Sequence, residues 1–228
     1  MQSIKEKLDE GMKALRNMPH QPARYRMMIR EGLIFKEIFI QQPYLELYEN
    51  LRPNTTLIDI GAYFGETAVY FAQNAHAKRI IAYELVPNSF EKARENIRMS
   101  PFANKIELHN TGLSSTPGNM TLSRSFMGGI SAQMDNIPRR GGKRIPITTL
   151  PKVLAGLKNV AIKCDAEGVE RDLFDNTDLK NVYAIMVECH NCKKRVSKVL
   201  ESKGFKVHDP YPNLQTGIMY AQKRNNQR

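Results

Sequence analysis

Thr56-Leu57-Ile58-Asp59-Ile60-Gly61-Ala62-Tyr63-Phe64-Gly65-Glu66-Thr67 is the stretch that decides the fold. A short apolar run ends in an acid, passes through two glycines and enters a helix, which is the strand-turn-helix unit that builds ligand crevices in α/β proteins. Gly61 lets the backbone approach a ligand closely and Gly65 lets strand and helix pack. The helix that opens at Glu66 and Thr67 begins with amide donors that have no partner inside it.

Working outward, short apolar runs alternate with longer amphipathic stretches, the texture of βα units around a largely parallel sheet. Strands are expected at 56–60, 79–84, 106–109, 160–165, 182–188, 205–208 and 218–222, with helices at 66–73, 89–99, 169–174 and 192–203. The last two strands, joined through Pro210, Pro212 and Gly217, should form an antiparallel hairpin. The reading is therefore an α/β fold: a doubly wound, seven-stranded, mostly parallel Rossmann-like sheet with an antiparallel terminal strand. Residues 1–50 read as a helical extension or lid, interrupted by Pro19 and Pro22 and ended by Pro43, ahead of a ligand-binding domain at 51–228. The glycine-rich stretch 114–144 has the least regular pattern and reads as a binding loop.

The glycine turn excludes one familiar guest. A dinucleotide site places Gly-x-Gly-x-x-Gly around a pyrophosphate, whereas here Tyr63 and Phe64 fill the middle and Asp59 arrives from the strand. An anion is a poor guest beside that carboxylate. A ligand with an ammonium group, a sulfonium and a nucleoside but no phosphate suits it, which points to S-adenosyl-L-methionine. Nineteen residues after Gly65 the next strand ends in Glu84, followed by Leu85, placing a two-oxygen acceptor where ribose hydroxyls need one. After the third strand, Asn110, Thr111, Gly112 and Leu113 would lie against the adenine. The cofactor set read from the residues is thus Asp59, Gly61, Ala62, Tyr63, Gly65, Glu66, Thr67, Glu84, Leu85, Asn110, Thr111 and Gly112, with Asp165 added from the segment below.

That segment, Ile162-Lys163-Cys164-Asp165-Ala166-Glu167-Gly168-Val169-Glu170, releases Lys163, Asp165, Glu167 and Glu170 at the end of a buried strand. Lys163 and Asp165 share a strand face by the two-residue period, so an ion pair between them is the plain structural alternative to a catalytic role. The neighbouring strand ends in Glu188-Cys189-His190-Asn191. If the two strands are adjacent, Asp165, Glu188 and His190 converge, and any of them could take a proton from a hydroxyl that is to be methylated. Carboxylates and an amide oxygen also suit Mg²⁺, although no metal is needed by this reading. Cys189-x-x-Cys192 has no second pair and reads as buried thiols at a helix start rather than as zinc ligands.

Composition narrows the class. The 228 residues, 41% hydrophobic and 25% charged, describe one globular domain with an appendage. No apolar window is long enough for a membrane span, the first ten residues are charged, and three cysteines cannot close a disulfide framework, so a cytoplasmic protein is expected. The net charge of +11 is concentrated in residues 138–228, where eighteen Lys and Arg face nine Asp and Glu, a field that favours anionic partners.

The segments DIGAYFGETAVYFA, AYELVPNSFEKARENI, IPITTL, IKCDAEGVERDLF and MVECH together resemble the FkbM family of S-adenosylmethionine-dependent methyltransferases, over about residues 43–205. The resemblance implies the seven-stranded fold, cofactor contacts by Asp59, Gly61, Gly65 and Glu84, and methylation of a hydroxyl on a sugar, lipid or other small molecule. Tyr63 stands where that family usually has Asn, and Leu85 where Pro is usual. Phe126, Gly128, Gly129 and Ser131 are candidate walls for the acceptor. A rival reading is an RNA methyltransferase that uses Arg139-Arg140-Gly141-Gly142-Lys143-Arg144 and Lys193-Lys194-Arg195, though no RNA-binding module or aromatic platform accompanies them. A third is a cofactor-binding protein without turnover. The identity of the acceptor and the oligomeric state are not encoded in any pattern of the chain.

Overall fold

The computed structural model describes residue 38 and residues 41–122, 143–166 and 168–224. Its elements are α1 (Leu45–Glu49), β1 (Thr55–Ile60), α2 (Glu66–Ala72), β2 (Ala77–Tyr83), α3 (Pro87–Met99), a 3₁₀ turn (Ala103–Lys105), β3 (Ile106–His109), β4 (Gly112–Ser114), β5 (Gly118–Leu122), β6 (Lys143–Thr149), α4 (Leu150–Leu154), β7 (Val160–Cys164), α5 (Glu170–Leu173), β8 (Val182–Cys189), α6 (Lys193–Ser202), β9 (Phe205–His208) and β10 (Gly217–Lys223).

Seven strands form one sheet in the order β3-β2-β1-β7-β8-β10-β9. The first five run parallel, while β10 is antiparallel to both β8 and β9. The expected architecture is therefore present, with strand ends within two residues of those read from the sequence. The central strands were legible because helices cover both faces and leave near-continuous apolar runs; every residue of β7 is buried. Side chains alternate across the sheet. Ile58, Ile60, Ile162, Cys164, Ile185 and Val187 join one core with Leu200 and Phe205. Leu57, Ala161, Ala184 and Met186 join the other, with Phe71 of α2 and with Ile38, Tyr44 and Leu47 of the N-terminal segment. Residues 1–37 of the proposed extension lie outside the described residues.

Local chemistry sets the helix ends. Pro87 opens α3 at a position where its missing N–H costs nothing. Pro101 disfavours a helical Ser100, whose backbone is extended (φ −76°, ψ 141°), and α3 stops there.

The structure corrects the reading of 114–144 as a loop without regular structure. Together with Gly112–Ser114, which was expected to be a loop over the cofactor, the described part of this stretch forms a second, three-stranded sheet in the order β4-β6-β5. Strands β4 and β6 are parallel, and β5 and β6 antiparallel. Met120, Ile145 and Ile147 form its small core, with Leu85 packed against them. The candidate acceptor walls Phe126, Gly128, Gly129 and Ser131, and residues 139–142 of the basic run, lie outside the described residues.

Candidate functional site

The glycine turn sits between β1 and α2, at the carboxyl edge of the sheet where the adjacent ends of β2 and β7 meet it. Gly61 adopts φ +79°, and a Cβ placed on it would stand 1.7 Å from the carbonyl oxygen of Asp165. The need for glycine here comes first from the crossing of the β1 and β7 exits and only then from any ligand. Gly65 adopts φ +85°, and its missing side chain leaves room for Ala93 of α3, 3.3 Å from where a Cβ would be, so it serves packing between helices rather than between strand and helix. Asn96 of α3 donates to the Phe64 carbonyl at 2.7 Å and pins the turn from the same side. The amides of Gly61 and Ala62 both donate to Tyr83 O at 3.0 Å. Tyr63 holds a left-handed φ of +48°, a conformation that Asn tolerates better than Tyr. It is 38% exposed and its ring stacks on Phe64.

Asp59, expected to face the cofactor, makes its contacts within the protein. It is fully buried; its Oδ2 accepts from the Thr67 hydroxyl at 2.6 Å, and its Oδ1 lies 3.2 Å from Lys163 Nζ. Register places Asp59 opposite Lys163 in the β1–β7 pairing, so the buried ion pair joins neighbouring strands instead of linking Lys163 to Asp165. Lys163, 1% exposed, also donates to Gly61 O at 2.6 Å and lies over the Tyr44 ring at 5.6 Å. Tyr44, a residue without a site role in the sequence reading, has its hydroxyl pushed well above the ordinary value, first by burial and then by the charges of Asp165, Glu188 and Asp59, against the opposing pull of Lys163. The interior of the turn is thus held by an ammonium whose partners are Asp59 and a backbone carbonyl.

Glu84 remains at the end of β2. Its Oε2 accepts the Tyr63 amide and its Oε1 the Val86 amide, both at 2.7 Å. Each oxygen keeps a second lone pair. Burial pushes its pKa up to about 7 against the pull of those two amides. Glu66, at the start of α2, is also pushed up to about 7, chiefly by burial. Asn110 donates to the carbonyls of Glu84 and Leu85 at 2.9 and 3.1 Å, so its amide ties β3 to the Glu84 loop. Thr111 is half-buried beside it. Gly112 lies where a methyl group would meet Ile147 and Leu85. Leu113 is buried in the main core.

At the exits of β7 and β8 the structure brings Asp165 and His190 together, and adds Glu170. Ligand atoms of these three lie within 4.8 Å of one another. Glu170, fully buried, accepts from the Ala166 amide at 2.9 Å and the Gly168 amide at 2.8 Å, and its Oε1 stands 3.3 Å from His190 Nδ1. With both carboxylate oxygens already accepting amide hydrogens, this is a buried carboxylate holding an imidazole. Glu188 is not one of these three: it shares the strand face of Met186 and Ala184 and, like Asp165, contributes its charge at Tyr44. Glu167 lies outside the described residues. The three cysteines are free and buried, Cys192 capping α6.

S-adenosylmethionine carries an ammonium group that wants a carboxylate and a ribose diol that wants a two-oxygen acceptor. The chain presents both. Asp165 Oδ1 is a buried oxygen with no hydrogen-bond partner among the described residues, beside the Gly61 turn, and Glu84 keeps acceptor capacity at the next strand.

Comparison with known proteins agrees. Residues 44–133 match the family described as methyltransferase domain. A methyltransferase of Sordaria araneosa, sdnD, is 23% identical over 220 residues, covering 78% of this chain and 83% of that protein. A tRNA1(Val) (adenine(37)-N6)-methyltransferase of Flavobacterium johnsoniae is 36% identical over 58 residues, a quarter of each chain. The structure of FkbM from Methylobacillus flagellatus superposes with a TM-score of 0.50 at 12% identity, over 93% of this chain and 60% of that one, a likeness of fold. Fold, turn and matched domain define a Rossmann-like methyltransferase. The chain is an S-adenosylmethionine-dependent methyltransferase.

Proposed function

We propose that this methyltransferase, of the FkbM type its motifs resemble, transfers a methyl group to a hydroxyl of a small molecule, sugar or lipid. The observation that carries the reading is the Glu170–His190 pair at the exits of β7 and β8, on the same edge as the Gly61 turn. A hydroxyl must lose a proton to become a good nucleophile, and an imidazole held by a buried carboxylate is suited to take it. Bound cofactor supplies an activated methyl group on a sulfonium. The chain's own groups do the rest: Glu84 accepts from the ribose hydroxyls, Asp165 from the ammonium group, the Gly61–Gly65 turn shapes the space between them, and His190 receives the acceptor's proton. Asp59 and Lys163 hold that turn from behind. Of the stretch before the cofactor domain at 51–228, Ile38, Tyr44 and Leu47 pack on its core.

One of the three supports of the RNA reading is weakened. In Lys193-Lys194-Arg195, Lys193 is buried, paired with Asp209 and bonded to Tyr211 O at 2.8 Å, and Arg195 is paired with Asp172 and Asp175. Two of the three cations are therefore already paired within the chain, Lys193 buried and Arg195 at the surface. The test is transfer of labelled methyl from S-adenosylmethionine into pools of hydroxyl-bearing small molecules and, in parallel, into RNA. Label in the small-molecule pool at low RNA incorporation supports the proposal. Label in RNA, with binding that falls steeply on log salt, overturns it.

A further inference from the structure

We propose that Glu170 is the positioning residue of this site: it fixes His190 as the tautomer with hydrogen on Nδ1, so that the Nε2 lone pair takes the acceptor's proton. The inference rests on the methyltransferase reading above and extends it to a residue to which sequence spacing gave no role.

The geometry is directional. Glu170 Oε1 lies 3.3 Å from Nδ1, and since both oxygens of this side chain already act as acceptors for backbone amides, the hydrogen between them is assigned to the ring. Neutral imidazole carries one hydrogen, and placing it on Nδ1 leaves the lone pair on Nε2. The carboxylate is itself immobilised. It is fully buried, at the first residue of α5, and the amides of Ala166 and Gly168 grip its two oxygens at 2.9 and 2.8 Å. Those amides belong to the loop that leaves β7 carrying Asp165, so one side chain ties the Asp165 loop to the β8 exit. The imidazole is less enclosed, its side chain 28% exposed. Hence the fixed member is the carboxylate and the accessible one is the ring, the order required of an orienting group and a base.

The proton balance is simple. The hydroxyl hydrogen passes to Nε2, the ring becomes an imidazolium, and the electron pair left on oxygen is the one that accepts the methyl. The new positive charge lies beside Glu170 and near Asp165, and the Cys192 thiol at the start of α6 also feels the ring. A cation formed between two carboxylates is stabilised as it appears.

The experiment is nitrogen-15 NMR of protein labelled at the histidine imidazoles, with His190 assigned by loss of its signals in His190→Gln, and calorimetric titration of S-adenosylmethionine on the same samples. Wild type should show His190 in the Nδ1–H form. Glu170→Gln should move it toward the Nε2–H form and lower turnover roughly 10- to 100-fold, with cofactor affinity kept within about twofold. An Nε2–H ring in wild type overturns the proposal, and that measurement does not require the variant to fold. So does a Glu170→Gln protein with an unchanged tautomer or full turnover. Failure of wild type to bind S-adenosylmethionine would instead sink the methyltransferase reading, whatever the tautomer, so the two failures are told apart.

Discussion

Lys163→Met removes one half of a buried ion pair and leaves the other half in place. Asp59 would retain one hydrogen bond, from Thr67 at 2.6 Å, and lose the ammonium 3.2 Å away, while Gly61 O would lose its 2.6 Å donor. An uncompensated buried carboxylate costs about 3–5 kcal/mol, and for a chain of this size each kcal/mol lowers the melting temperature by roughly 2–4 °C. The single variant should therefore melt roughly 6–20 °C below wild type. Replacing both partners, Asp59→Leu with Lys163→Met, removes the stranded charge and should recover most of the loss, because a buried pair exchanged for apolar groups of similar volume is often close to neutral. Calorimetric melting and denaturant titration of the four proteins form a double-mutant cycle. A double variant no more stable than the sum of the singles, or a Lys163→Met protein within about 1 kcal/mol of wild type, would refute the placement of Asp59 as an interior partner of Lys163.

Gly61→Ala should cost at least about 3 kcal/mol, because the methyl group meets the Asp165 carbonyl at 1.7 Å and the backbone is left-handed. Gly118→Ala, with nothing within 4 Å of the added carbon, is the matched control and should stay within about 0.5 kcal/mol of wild type by denaturant titration. Glu84 has its pKa pushed up from 4.5 to about 7, so its folded carboxyl holds a proton more tightly than the unfolded one. Its contribution to stability is present below pH 4.5 and is lost as pH rises to about 7, as denaturant midpoints at pH 5 and 8 would show. Cofactor affinity should run the other way, gaining several-fold through the same window as the carboxylate becomes a full acceptor. A flat affinity from pH 5.5 to pH 8.5 would remove Glu84 from the ribose contact.

How much of this was legible in the chain depended on whether the cause was local. The β1 and β7 strands announce themselves because both faces are covered, and the acids that close them fall at the crevice edge because parallel strands end together. What was misread is non-local. The two-residue period offered Asp165 as the partner of Lys163, yet it could not show that Asp59 lies directly across from Lys163 on the neighbouring strand, with Lys163 and Gly61 separated by 102 positions. Glu170 was visible as a charge after the strand, but its grip on the Ala166 and Gly168 amides depends on a turn whose shape no periodicity records. Strands β4 and β5, three and five residues long, carry one apolar residue (Leu113) and two (Met120 and Leu122) among Gly, Ser, Asn and Thr, too short a pattern to read as strands. The run Lys193-Lys194-Arg195 looked like one basic patch only while Asp209, Asp172 and Asp175 were unplaced. Membrane-crossing helices are absent among the described residues.

The most direct test of the cofactor site is calorimetric titration of the protein with S-adenosylmethionine and, separately, with NAD, repeated on Glu84→Ala and Asp165→Asn. The site described here predicts micromolar binding of S-adenosylmethionine alone, abolished in Glu84→Ala and weakened at least tenfold in Asp165→Asn, where a buried acceptor for the ammonium group loses its charge. Binding of NAD in preference, or S-adenosylmethionine affinity untouched by both substitutions, would contradict it.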